Sequence, residues 1–201
     1  MTGPRRPRVP LWAWPSVLSV DAPAVAVAWS WATADAAGAS FTWRHAAVVG
    51  LATAAVYLVD RRLDVARLAG GRPTPLRHAW SAARPGRTSA VAGTAGVVAL
   101  ALAARLPLAS LAWGLAVAVA AAGLVLVSGR TASGPRRRPT WRPLAVGLVF
   151  AGGVGVPAAA GSPTEVLAAL AGLAAVAALN VAMIAAWELS LIHISEPTRP
   201  Y

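Results

Sequence analysis

The length of its charge-free apolar runs is what most limits how this chain can fold. No Asp, Glu, Lys or Arg occurs from Leu106 to Ser128, from Leu144 to Pro163, or from Val166 to Trp187. A run of about 20 apolar residues matches a helix crossing the roughly 30 Å hydrocarbon layer of a bilayer. Inside that layer the backbone must satisfy its own hydrogen bonds, which leaves a helix as the available form for such segments. The charged fraction agrees: 12% of residues are charged and 57% are hydrophobic, whereas a soluble domain carries about 25% charged residues. The expected fold is therefore all-α, a polytopic membrane helix bundle over residues 1–188. Six predicted transmembrane helices lie at about 22–39, 41–60, 88–104, 107–128, 144–160 and 164–187.

Charge placement sets the expected orientation. All 18 basic residues are Arg, and the formal net charge is +11. That value alone would admit nucleic acid, but the arginines gather in the connections on one side of the predicted spans. Fifteen lie in the N-terminal tail, in 61–87 and in 130–142, while the opposite connections hold Arg44 and Arg105. This is the positive-inside pattern, so no nucleic acid partner is expected and the N-terminus is placed in the cytoplasm, in a multi-pass protein of the cell inner (plasma) membrane. The basic loops meet anionic membrane lipid, each Arg contributing on the order of 1 kcal/mol near the surface. No protein partner can be inferred. The absence of Cys excludes disulfides, thiolate metal sites and Cys nucleophiles. The basic start Met1–Pro10 is followed by further spans and no small-residue cleavage site, so no cleaved signal is expected.

Punctuation residues set the span ends. Asp21-Ala22-Pro23 reads as a helix start, with Asp21 as cap. Pro73, Pro75 and Pro85 break the 68–87 loop, where His78 reads as a solvated loop residue, and Pro157 ends or kinks the fifth span. Gly147, Gly152, Gly153 and Gly155 in that span allow another helix to approach closely. Asn180 is a polar residue expected to be buried in the sixth span, either as an interhelical hydrogen bond or as a substrate contact. Glu188 ends that span. The last thirteen residues, 189–201, change composition abruptly and resemble the translated read-through of a sequencing adapter. They are expected to be a non-native tail, which implies that the natural chain continues past Glu188.

The chemistry-bearing stretch is Tyr57-Leu58-Val59-Asp60-Arg61-Arg62-Leu63-Asp64-Val65-Ala66-Arg67. Helical spacing puts Asp60, Asp64 and Arg67 on one face with Tyr57 a turn earlier. Carboxylates one turn apart repel unless a cation lies between or beside them, and ionisable groups at the edge of a membrane span point to a site. Mg2+ takes oxygen ligands and is commonly held by one or two carboxylates together with substrate phosphates. Asp60 and Asp64 are therefore candidate metal ligands. Arg61 and Arg67 are candidate diphosphate-binding residues, because guanidinium forks match phosphate oxygens. Tyr57, Asn180 and Glu188 are candidate pocket residues, with an interfacial anchor as the other role open to Tyr57. A competing reading pairs the two carboxylates with Arg61, Arg67 or loop arginines as ordinary ion pairs.

Tyr57-Leu58-Val59-Asp60-Arg61-Arg62-Leu63-Asp64 resembles the first aspartate-rich motif of the UbiA family of intramembrane prenyltransferases, in a divergent bacterial form that reads Tyr-x-x-Asp-Arg-x-x-Asp. Two weaker matches agree in order, Ala145–Ala151 with Pro157, and Leu179-Asn180 followed by Ala186-Trp187-Glu188. Val56 and Tyr57 stand where the fuller family motif has Asn and Asp, so only Asp60 and Asp64 carry over. The resemblance implies a bundle of about nine spans of which six are present. It also implies a second aspartate-rich motif beyond the sixth, with Mg2+ as cofactor and a prenyl diphosphate as substrate. The implied reaction ionises the diphosphate to an allylic cation that an acceptor captures. No catalytic residue beyond these ligands is assigned. The alternative is a non-catalytic integral membrane protein, structural or transport-related, with a degenerate site.

Overall fold

The structure, a computed structural model, describes residues 11, 14–18, 20–67, 84–131 and 140–195. Among these residues every regular element is helical. A single turn, α1 (Trp14–Leu18), precedes α2 (Asp21–Ala36), α3 (Trp43–Arg67), α4 (Pro85–Ala103), α5 (Leu108–Thr131), α6 (Arg142–Val154) and α7 (Pro163–Ser195), with a 3-10 turn at Pro157–Ala160 between α6 and α7. Each expected span corresponds to one of α2–α7. Three are long and apolar enough to cross a membrane: Pro85–Ala103, Leu108–Ser128 and Thr164–Trp187.

The other three fall short for separate reasons. At about 1.5 Å per residue, α2 and α6 reach roughly 24 and 20 Å, less than a hydrocarbon layer. Helix α3 has 25 residues, but Trp43-Arg44-His45 at one end and the Asp60–Arg67 stretch at the other shorten its apolar part. Residues 68–83, with His78, 132–139 and 196–201 lie outside the described residues. The expected loops 68–87 and 130–142 are shortened, since α4 already begins at Pro85, α5 runs to Thr131 and α6 begins at Arg142. Helix α7 runs on to Ser195, seven residues into the segment expected to be non-native.

The chain forms two compact units. The first comprises residues 1–32 and 41–106. Here α3 packs on α4 through a seam of small side chains, with Thr88, Ala92, Ala95 and Ala99 buried on α4 at alternating steps of four and three residues. The Thr88 hydroxyl donates to the Arg84 carbonyl at 3.1 Å and helps to close the first turn. Where α2 meets α3, a Cβ on Gly50 would stand 3.3 Å from Val27 Cγ2.

The second unit comprises residues 33–40 and 107–201. Its centre is the broken end of α6, where Val154, Val156, Pro157 and Ala158 are buried. Pro157 cannot continue the hydrogen-bond ladder, and a buried helix end must find partners for its last carbonyls. All four are accounted for. Ala151 O accepts from Gly155 N–H at 3.0 Å and Gly153 O from Val156 N–H at 3.3 Å. The Trp113 indole N–H donates to Gly152 O at 2.9 Å, and the Thr33 hydroxyl donates to Val154 O at 2.8 Å. Trp113→Phe and Thr33→Val each strand one of these acceptors. Each is expected to lower stability by about 1–3 kcal/mol, read from the midpoint of unfolding in mixed micelles.

The connection from α2 to α3 turns at Gly38, whose φ of +62° lies in the left-handed region. Ala37 O just before it accepts from Ser162 N–H at 3.1 Å. A Cβ at residue 38 meets open space, so the cost of Gly38→Ala is conformational only, about 1 kcal/mol in the same unfolding measurement.

Candidate functional site

Helix α3 carries the candidate residues because nothing interrupts it between Trp43 and Arg67: the stretch has no Pro, and its one Gly, Gly50, sits at a helix contact. The helix continues past the expected span end at 60, so Tyr57, Asp60, Asp64 and Arg67 follow one another along a single face. Leu58 and Arg61 lie on the neighbouring face, turned toward the protein, and Arg61 is only 6% exposed. Asp60 is half-buried and Tyr57 is 48% exposed. Asp60 and Arg61 are each already engaged in an interaction with a neighbour. The side chains of Asp64, Arg67 and Glu188 lie outside the described residues, although their backbones are helical.

The arrangement therefore offers one described carboxylate on an outward helix face, with a buried guanidinium one residue on. Among the described residues no three His, Cys, Asp or Glu side chains come together in a way that would hold a metal ion. The donor type still fits Mg2+, a hard cation that takes carboxylate oxygens and completes its shell with water and phosphate.

Asn180 departs from expectation. It is exposed rather than buried, and no described residue hydrogen-bonds its side chain. The reason is the packing face of α7. That face is set by Val166, Leu170 and Ala174, which are buried, and by the approach of Ala174 and Ala178 to Gly147. At about 100° per residue, Asn180 lies roughly a third of a turn from that face. With Met183, Ile184 and Trp187 it outlines a shallow groove of about 350 Å3 on α7 alone. A second groove of similar size lies between α5 and α6, lined by Trp113, Ala116, Val117, Ala120, Leu148 and Val149. Neither groove contains a titratable side chain.

Sequence reasoning gave no role to His45, which is 2% exposed. Thr42 N–H donates to its Nδ1 at 3.2 Å, and the Thr42 hydroxyl lies 3.0 Å from the same atom. A backbone N–H can only donate, so Nδ1 is the acceptor and the ring proton sits on Nε2. That atom is buried with no hydrogen-bond partner among the described residues. Phe41 stacks on the ring, centroids 6.0 Å apart. The legible signal was Thr-x-x-His at a helix start, the spacing of a capping box with His in the place of Glu.

The chain matches no protein-family model, no curated protein and no solved structure.

Proposed function

We propose that this chain is part of a UbiA-like integral membrane prenyltransferase, which transfers a prenyl group from a prenyl diphosphate to an acceptor in a Mg2+-dependent reaction. The protein would sit in the plasma (inner) membrane with six spans and a cytoplasmic N-terminus. The observation that supports this reading is the unbroken course of α3 through Arg67, which sets Asp60 and Asp64 one turn apart at the end of an apolar helix. Asp60 and Asp64 would hold the ion, and Arg67 would meet phosphate oxygens from the next turn. When bound, Mg2+ would neutralise charge on the diphosphate as it leaves. Tyr57, half-exposed one turn before Asp60, would stand where the polar head gives way to the chain.

One observation favours the second reading, a non-catalytic membrane scaffold. Arg61 is buried and already engaged, as expected if the charged end of α3 serves helix packing and not a soluble anion.

A thermal-unfolding assay on the detergent-solubilised protein separates the two. Ligand that binds the folded state alone stabilises it by RT ln(1 + [L]/Kd), about 2.7 kcal/mol at a hundredfold excess over Kd. The prenyltransferase reading expects a clear rise in Tm with Mg2+ and a prenyl diphosphate together, and a smaller one with either alone. No rise at millimolar ligand would leave the scaffold as the better account.

A further inference from the structure

Helix α3 starts from a cap that only an uncharged imidazole can make. Thr42 precedes the first helical residue, and His45 stands in the first turn. The Thr42 N–H donates to His45 Nδ1 at 3.2 Å. The Thr42 hydroxyl, 3.0 Å from the same atom, donates to it as well. Nε2 already carries the ring proton, so Nδ1 holds the one lone pair that can take a second. That lone pair is the one that holds Thr42. A proton placed there would set a donor against a donor and leave the Thr42 N–H without its acceptor.

The surroundings also oppose a charged ring. His45 is almost wholly buried, and its Nε2 has no hydrogen-bond partner among the described residues, so an imidazolium there would be a buried charge without compensation. The positive end of a 25-residue helix lies beside it. On α3 itself the adjacent charge is Arg44, whose guanidinium is 5.6 Å from the Trp43 ring centroid. Helices α2 and α4 meet α3. Their charged residues are Asp21 and Asp35 on α2, Arg84 and Arg87 at the start of α4, and Arg105 past its end. None of these pairs with His45. We infer that His45 is an acid-released latch. Neutral, it closes the first turn of α3 onto Thr42; protonated at Nδ1, it lets that turn go.

His45→Gln separates the cap from the titration. A Gln at this position accepts from the cap N–H through its side-chain oxygen and takes no proton. The full chain and the variant are unfolded in mixed micelles at about pH 7.5 and about pH 5.5. The unfolded chain protonates residue 45 below about pH 6.5, whereas the latched form excludes the proton, so the stability held above that pH is lost as pH falls. Between the two pH values the parent's folding constant is expected to drop about tenfold more than the variant's. Groups common to both chains, His78 and His193 included, cancel in that comparison. Nitrogen-15 NMR of the histidine rings gives a second measurement on the parent alone. One ring is expected to stay neutral at about pH 6, with its proton on Nε2, while free imidazoles there are mostly charged. Equal pH dependence in the two chains overturns the latch. So do three rings that charge together near the ordinary histidine value, even if the Gln variant fails to fold.

Discussion

Asp60→Asn and Asp64→Asn, made one at a time, are each expected to lower Mg2+-dependent consumption of a prenyl diphosphate at least about a hundredfold, with both variants retained in the membrane fraction. The substitution keeps the size of the side chain and one oxygen acceptor but removes a negative charge. A Mg2+ ion held by Asp60 and Asp64 would lose half of the charge that this pair places on it, and electrostatic stabilisation of a leaving anion is usually the largest contribution such a site makes. Asp35 provides the control. It is exposed near the end of α2, at the far end of the predicted first span, and Asp35→Asn is expected to leave turnover unchanged. If Asp60→Asn and Asp64→Asn turn over like the parent, the metal site is elsewhere or absent, and the charged end of α3 is an ion-pair cluster.

Most helix ends were legible because single residues force them. Asp21, expected as the cap, is instead the first residue of α2: Val20 O accepts from Ala24 N–H at 3.1 Å, and the Asp21 carboxylate accepts from Ala22 N–H at 3.0 Å. Pro85, Pro143 and Pro163 fall at the first or second position of α4, α6 and α7, where a missing N–H costs nothing. Pro157 stops α6 as its ring requires. The course of α3 to Arg67 agrees with the helical spacing read across Tyr57–Arg67; the expected span ended at 60 because Asp60–Arg67 is polar, yet the stretch contains no helix breaker and every residue in it tolerates a helix. Tertiary placement was the larger loss. Asn180 looked buried because its neighbours in sequence are apolar, but membrane helices expose apolar residues to lipid, so hydrophobicity does not distinguish the packed face from the outer one. What distinguished them was size: Ala174 and Ala178 face Gly147. Trp113 gave no such signal either, yet its N–H closes a carbonyl 39 residues away in the chain. The candidate site was legible as a pattern on one helix, and no more than that, because its remaining partners depend on which elements come near the end of α3.

Gly147→Leu is expected to separate α6 from α7 and to lower the unfolding midpoint further than any other single substitution considered above. A Cβ built at residue 147 would run into the Ala174 carbonyl oxygen, and it would stand 2.9 Å from Ala178 N and 3.1 Å from Ala178 Cβ. Two of these three neighbours are backbone, so no rotamer change relieves the clash and the helices must move apart. Overpacking of this kind costs about 1–3 kcal/mol for added methyl or methylene groups and more when the neighbour cannot give. Gly147→Ala gains roughly 0.8–1 kcal/mol of helix propensity, yet is still expected to be destabilising, because its methyl sits where the oxygen is. Gly172→Ala is the matched control. It adds the same methyl to α7 at a position with nothing within 4 Å, so propensity acts alone and the variant should be as stable as the parent or up to about 1 kcal/mol more stable. At about 2–4 °C per kcal/mol for a chain of this size, the two alanine variants should shift Tm in opposite directions. If Gly147→Ala instead raises Tm as Gly172→Ala does, the close approach of α6 and α7 is wrong. The packing face of α7 would then have to be sought among its exposed residues.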